Sequence, residues 1–293
     1  LTAGFGTYAT LNMLVNIGNN RYRLIDFWTG TYRAATGSGA LNTLPISVAP
    51  YAVKFEKRLP VKIMFLALFF ATIQYMFMLG TRTQFAILLL IVILAALQFA
   101  YSEQGIAGVL KCIGIMAVIS LIAFLLYHFN VLSIRDYILS TNLAARYERR
   151  ASLENADSFR FQSFWIGLRE LIQYPMGGRA SQVYRHNMWL DVGRVSGIIP
   201  FCLLLVYSIK NFANVTVIWK NTKILPSLRY LLLFLYIGAY VNCFVEPIWE
   251  GALNFFLALC VVDGMVSAMM RRLENDPTPE ESVSDTSNLH TDL

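Results

Sequence analysis

Long apolar segments restrict the fold of this chain more than any other feature. A hydrocarbon core of about 30 Å is crossed by a helix of about 20 apolar residues. Six segments reach or approach that length: 61–79, 85–101, 106–128, 192–209, 230–245 and 252–270. Charged residues make up only 14% of the chain and its mean hydropathy is +0.52, values that are uncommon in soluble proteins. The sequence therefore predicts an all-α polytopic membrane protein.

A weaker apolar segment, 39–53, raises the expected number of transmembrane helices to about six or seven. It contains Asn42, Thr43, Pro45, Ser47 and Pro50. If it spans the membrane, it must be a kinked or protein-buried helix, because freed backbone groups have no partner in lipid. The chain begins with Leu1 and has no signal-peptide pattern. We therefore expect the N-terminal part of a longer protein to be missing.

The lysines predict the orientation of the chain. With alternating spans they all fall on one side, which the positive-inside rule makes cytoplasmic. They are Lys54, Lys57, Lys62, Lys111, Lys210, Lys220 and Lys223. Segments 81–84, 129–191 and 246–251 then face outward. The net charge of +6 is accordingly a signal of topology, and we expect membrane lipids rather than nucleic acid as partners.

Five regions follow from this topology. Residues 1–60 form a truncated part with an outward segment and the weak transmembrane helix, and 61–128 form three transmembrane helices. Residues 129–191 form one large outward, periplasmic helical loop, 192–272 form three more transmembrane helices, and 273–293 form a disordered acidic cytoplasmic tail. The four cysteines lie in or beside apolar segments without metal-type spacing, so we interpret them as packing residues.

The outward loop is rich in arginine and contains no lysine. Its arginines are Arg135, Arg146, Arg149, Arg150, Arg160, Arg169, Arg179 and Arg185. A guanidinium can bind phosphate in a bidentate way, which favours an anionic, phosphorylated ligand. Binding to lipid headgroups, or avoidance of lysine under the positive-inside rule, explains the bias equally well.

Residues 158–174 of the loop have the pattern of an amphipathic helix. Asp157 or Ser158 caps it, and Pro175 ends it. Arg160 and Arg169 fall on opposite flanks of the apolar face. We expect the helix to lie on the membrane or on the other spans, with one arginine directed at a site. The apolar face consists of Phe161, Phe164, Trp165, Leu168, Leu171 and Ile172.

His186 is the candidate for proton transfer, because a histidine can accept and release a proton near neutral pH. His128 is its rival, but its position at the end of a span suits an interface anchor. Glu246 and Glu250 are candidates to orient His186 or to pair with an arginine. Arg82 is the only charged residue of its turn, and it either anchors the turn to lipid headgroups or binds the phosphate of a ligand. Asp263 lies inside the last span, where it costs about 3 kcal/mol unless another span provides a partner.

Three stretches together resemble the C-terminal portion of the O-antigen ligase and O-antigen polymerase family. They are the turn Leu79–Thr83, the helix from Phe159 to Trp165 with the Tyr174–Gly178 run that follows, and His186-Asn187 with Leu190 and Gly197. The likeness covers residues 25–270. It departs from the family pattern in one respect, because Arg179 replaces the last glycine. Within the second stretch, Trp165 stands five residues after Arg160.

The resemblance implies a metal-independent glycosyltransferase without a cofactor, in the bacterial inner membrane. Its donor would be an undecaprenyl-diphosphate-linked glycan, and its acceptor a glycan or lipid A core. Arg82, Arg160 and Arg169 would bind the diphosphate, while His186 would accept the proton of the acceptor hydroxyl. Asn187, Glu246 and Glu250 would support the site. Ligase and polymerase activity are not separated by the sequence.

A non-enzymatic transporter or flippase for an anionic or lipid-linked solute is the alternative. Such a protein needs polar residues along several spans near the midplane. Asp263 and Asn242 are the clear candidates for that role. Most polar residues lie outside the spans, which favours chemistry at the surface.

Overall fold

Helices form nearly all of the described chain. The computed structural model describes residues 2–17, 24–33, 35–151 and 156–275. A two-residue antiparallel ladder pairs β1 (Leu24–Ile25) with β2 (Tyr32–Arg33). The helices are α1 Thr2–Val15, α2 Ala35–Phe55, α3 Leu59–Leu79, α4 Arg82–His128, α5 Ile134–Ser140, α6 Asn142–Ala151, α7 Ala156–Gln173, α8 Met188–Ser196, α9 Ile198–Lys220, α10 Pro226–Val245, α11 Ile248–Gly251 and α12 Leu253–Asn275, with a 3₁₀ turn at Val131–Ser133.

Five helices of the described chain are long and apolar enough to cross a membrane: α3, α4, α9, α10 and α12. The 47-residue α4 is broken at Gly105, whose φ of 61° and ψ of −144° suit glycine alone. The chain folds back at this point, and Gly108 comes so close to Ala100 that a Cβ on Gly108 would overlap the Ala100 carbonyl oxygen. Its two segments, 82–104 and 106–128, correspond to the two predicted spans 85–101 and 106–128. The predicted helical, multi-pass membrane fold is thus confirmed.

The proline-containing helix α2 lies at the centre of the molecule. Every residue from 38 to 49 is buried, and α2 contacts α1, α3, α4, α10, α11 and α12. Pro45 removes one intrahelical hydrogen bond and Pro50 another, a loss that surrounding protein tolerates better than lipid does. The helix is therefore protein-buried, the form that the weak segment 39–53 requires.

Small residues let the neighbouring backbones approach α2 closely. A Cβ on Gly238 of α10 would overlap the Ser47 hydroxyl, and one on Gly37 would overlap the carbonyl oxygen of Gly251. Close contacts of this kind replace the hydrophobic effect as the force between helices in a bilayer. Asn242 of α10 adds a polar contact, since its side chain accepts a hydrogen bond from Gln84 at 3.3 Å.

Asp263 illustrates how the bundle accommodates a charge within a span. Tyr207 of α9 donates a hydrogen bond to its carboxylate at 2.8 Å, and Tyr236 of α10 donates to the other oxygen. The carboxylate is 3% exposed. The prediction that other spans provide its partner is therefore confirmed, and Asp263 links α12 to two neighbouring helices.

The segments predicted to face one side do meet at one end of the bundle, which we call the loop end. Asn142 of α6 donates to the carbonyl of Met78 at 2.6 Å, and Tyr137 of α5 donates to Gln74 at 2.6 Å. Thr83 donates to Glu246, which joins the start of α4 to the end of α10. The opposite end carries the Lys54–Glu103 ion pair.

Three predicted boundaries are wrong. Helix α7 begins at Ala156, so Asp157 and Ser158 lie within it and neither is its N-cap. The predicted span 192–209 is broken at Gly197, whose φ of 95° ends the short buried helix α8, and the spanning helix is α9. A continuous apolar pattern could not reveal this break. Residues 273–275 continue α12 and are not part of the tail. The rest of the predicted tail, and residues 18–23, lie outside the described residues.

We predict that Gly238→Ala destabilises the bundle by about 1–3 kcal/mol, the usual range for overpacking. The added methyl would overlap the Ser47 hydroxyl, which is hydrogen bonded to the Thr43 carbonyl. Gly264→Ala is the matched control, because nothing lies within 4 Å of its Cβ position. The free energy of unfolding in mixed detergent micelles measures both.

A Gly238→Ala, Ser47→Ala double variant should recover much of that loss. Equal stability of the Gly238→Ala and Gly264→Ala proteins would contradict the close approach of α10 to α2.

Candidate functional site

A cavity of about 420 Å³ lies at the loop end between α7, the segment before α8, and the end of α10. This volume falls within the range of small-molecule sites. Aromatic and aliphatic side chains form most of the wall, and a cationic, an imidazole and an amide group interrupt it. The lining residues are Phe161, Phe164, Arg185, His186, Asn187, Phe244 and Val245. Two residues predicted for the site, His186 and Asn187, therefore share one cavity.

His186 is held in an uncommon backbone conformation. Its φ of 55° lies in the left-handed region, which costs free energy for a residue with a Cβ. The ring of Tyr184 contacts the imidazole edge-to-face, with centroids 4.7 Å apart. A conformation of this kind persists only where neighbouring contacts impose it, and the contacts of Asn187 do so.

Asn187 connects two helix ends. Its side-chain oxygen accepts a hydrogen bond from the Leu190 amide at 3.1 Å and so caps α8. Its side-chain nitrogen donates to the carbonyl of Phe244 at 3.2 Å, near the end of α10. The residue is 4% exposed. These two bonds fix the segment that carries His186 against a membrane-crossing helix.

Arg185 faces the cavity but is already paired. Its guanidinium donates two hydrogen bonds to the Glu170 carboxylate, at 3.0 and 2.6 Å. Arg179 lies 3.8 Å from the same carboxylate and stacks over the Tyr174 ring at 4.1 Å. Arg179, which replaces the last glycine of the family pattern, thus packs on the end of α7. This group of residues stabilises the loop.

Glu246 follows the cavity residue Val245 and is 4% exposed. It accepts a hydrogen bond from Thr83, which brings the turn that carries Arg82 beside the cavity-forming end of α10. Arg82 itself is half-buried at the first position of α4. The sequence separation of these residues is large, so only the fold brings the turn and Glu246 together.

Arg169, Glu250 and His128 are not among the residues that line the cavity. Arg169 is exposed on α7, and Glu250 pairs with Arg194. Arg160 precedes the cavity residue Phe161, but its side chain lies outside what the structure describes. His128 is exposed and stacks on Phe124 with centroids 5.8 Å apart, an arrangement that suits an interface anchor.

Arg194 is a structural residue that the sequence reasoning missed. It is 3% exposed, and its guanidinium donates to the carbonyls of Arg179, Ala180 and Gln182. It also pairs with Glu250 of α11 and lies 3.7 Å from Asp191. The sequence could have indicated this role, because Arg194 lies inside the predicted span 192–209 and a charge there requires buried partners.

Asp191 lies at the base of the same loop and is fully buried. Its carboxylate accepts a hydrogen bond from the Arg185 amide at 2.6 Å. Burial raises the pKa of Asp191, although the Arg185 amide and the Arg194 charge act in the opposite direction. The Asp191 carboxyl thus holds the backbone of Arg185, the residue before His186, and its burial costs desolvation free energy.

We predict that Arg194→Lys loosens the segment 179–185. Lysine keeps the charge but cannot donate to three carbonyls and a carboxylate with one planar group. Hydrogen exchange of the amides in this segment should speed up, while exchange in α3 should not change. Glu250→Gln is the milder matched variant, since Glu250 is the more exposed partner. Unchanged exchange in Arg194→Lys would contradict the anchoring role.

Comparison with known proteins gives no assignment. The sequence matches no model of a known protein family and no curated protein. The likeness to O-antigen ligases and polymerases therefore rests on the short motifs alone, and the activity that it implies is a proposal.

Proposed function

We propose that this protein is a membrane glycosyltransferase. It moves a glycan from a polyprenyl diphosphate to a hydroxyl acceptor at the periplasmic face of a bacterial inner membrane, as a ligase or a polymerase of surface polysaccharide. The observation that carries the proposal is the cavity at the loop end, where the imidazole of His186 meets an apolar wall beside the end of a membrane-crossing helix.

The cavity suits a ligand that is part lipid and part polar. Phe161, Phe164 and Phe244 offer an apolar surface, whereas His186 and Asn187 offer polar groups at the same opening. A water-soluble substrate does not need the apolar surface, and a simple lipid does not need the polar side chains. A lipid-linked glycan needs both.

The proposed chemical step is a displacement at the anomeric carbon of the donor. The acceptor oxygen forms the new bond to that carbon while the bond to the diphosphate oxygen breaks. His186 accepts the proton of the attacking hydroxyl. The polyprenyl diphosphate leaves with the bonding electron pair and later receives a proton from His186 or from water.

The leaving diphosphate requires positive charge. Arg185 and Arg179 are engaged by Glu170, so they contribute less than their number suggests. The proposal assigns this role to Arg82, in the turn that Thr83 joins to the end of α10, and to Arg160, which directly precedes the cavity residue Phe161. Arg169, exposed on α7, is better placed for a headgroup than for the cavity.

A flippase for a lipid-linked solute is the second candidate, and the buried polar residues of the bundle favour it. Asn42, Thr43 and Ser47 of α2 lie at 1% exposure or less, and Asn242 of α10 faces the same helix. A passage for a polar headgroup would require such residues along a helix interface.

We predict that His186→Asn abolishes long-chain surface glycan. Asparagine tolerates the left-handed backbone at this position but cannot accept a proton near neutral pH. The matched control is His128→Asn, which changes the exposed histidine at the same end. The variants are expressed from the gene that encodes this chain in a strain that lacks it. Surface glycan is analysed by gel and the membrane level of the protein by blot.

Loss of glycan in His186→Asn alone, at a normal protein level, supports the transferase. The lipid-linked donor should then accumulate in the periplasmic leaflet. Accumulation in the cytoplasmic leaflet would indicate the flippase instead. Normal glycan in both variants would remove His186 from the chemistry.

A further inference from the structure

Helix α7 presents three different faces around its axis. Successive residues are about 100° apart, so positions 161, 165, 168 and 172 form one stripe. Within this stripe Phe161 is 66% exposed, Trp165 55% and Ile172 79%. The apolar face expected from the sequence is therefore divided, because Leu171 packs inward while these three residues do not.

The second face packs on the protein. Ser163, Gly167, Glu170 and Leu171 lie on this side, where a Cβ on Gly167 would be 3.1 Å from Leu190. The third face is exposed and mostly polar, since it carries Gln162, Arg169 and Gln173 together with Ile166. A helix with one face on protein, one polar face and one bare apolar stripe matches the environment at a bilayer surface.

We propose that α7 lies in the membrane interface at the loop end, with its apolar stripe inserted among lipid acyl chains. The position of α7 relative to the membrane-crossing helices supports lipid acyl chains as the contact of this stripe. The Phe164 ring lies 6.0 Å from Phe244, which is in the last turn of the membrane-crossing α10. Phe164 also contacts Trp165 of the stripe, with ring centroids 5.7 Å apart, and Phe244 is itself 55% exposed, so the stripe adjoins the exposed apolar surface at the end of α10.

The charge of α7 fits the same occupant. Arg169 is exposed beside the stripe and forms no ion pair with any described residue. Its long side chain can reach lipid phosphates while the stripe enters the acyl region. Phe161 belongs to the stripe and also lines the cavity, so one wall of the cavity adjoins the bilayer. The placement of α7 does not depend on glycan transfer.

The test is photocrosslinking in lipid nanodiscs of the full chain. Benzoyl-phenylalanine is introduced in place of Ile172 on the stripe, or of its neighbour Gln173 on the polar face. Leu203, exposed on the membrane-crossing α9, is the positive control for lipid contact. Lipid adducts are counted by mass spectrometry, and size-exclusion profiles verify that each variant is folded.

We expect several times more lipid adducts at position 172 than at position 173, with position 203 also labelled. Adducts at 203 without adducts at 172 would overturn the proposal, as would equal labelling at 172 and 173. Attachment of position 172 to another polypeptide would assign the stripe to a protein partner instead.

Discussion

A polar helix with two prolines cannot face lipid, and the rest of the bundle is arranged around that constraint. In a bilayer an unsatisfied backbone group has no water to bind, so α2 must be enclosed by other helices. Within the described chain, α1, α3, α4, α10, α11 and α12 contact it. Enclosure requires close approach, which Gly238, Gly37 and Gly39 permit. Because α10 packs on α2 through Gly238, the end of α10 that lines the cavity is positioned by the same packing.

Two buried polar residues, Asn187 and Arg194, hold the segments of the loop end together by hydrogen bonds. Asn187 joins the start of α8 to the end of α10, and Arg194 gathers three loop carbonyls and the Glu250 carboxylate. Both are buried, where polar contacts gain strength and where an unpaired group is costly. His186 lies in the chain between Asn187 and the loop carbonyls that Arg194 holds. Its left-handed backbone is thus a consequence of how the surrounding chain is anchored.

Local patterns predicted much of this architecture. Apolar length located the spans in 61–128, and helical periodicity located α7. The pair His186-Asn187 was found because histidine and asparagine stand out where a polar loop returns to an apolar segment. The break at Gly197 was missed, since apolar residues continue on both sides of it. The Thr83–Glu246 and Arg185–Glu170 pairs were missed because they join residues that are distant in sequence or on different elements.

Two of the eight loop arginines, Arg179 and Arg185, have a structural role that composition alone does not reveal. Arg185 uses the fork of its guanidinium on Glu170, and Arg194, just after the loop, distributes its donors among several acceptors. Lysine, a compact charge on a flexible stem, could make neither arrangement. With Arg179, these guanidiniums face the three carboxyls of Glu170, Asp191 and Glu250. Their positive charge is therefore largely balanced within the protein. The number of arginines in the loop therefore says little about how an anionic donor would be bound, and the proposed reaction assigns that role to Arg82 and Arg160.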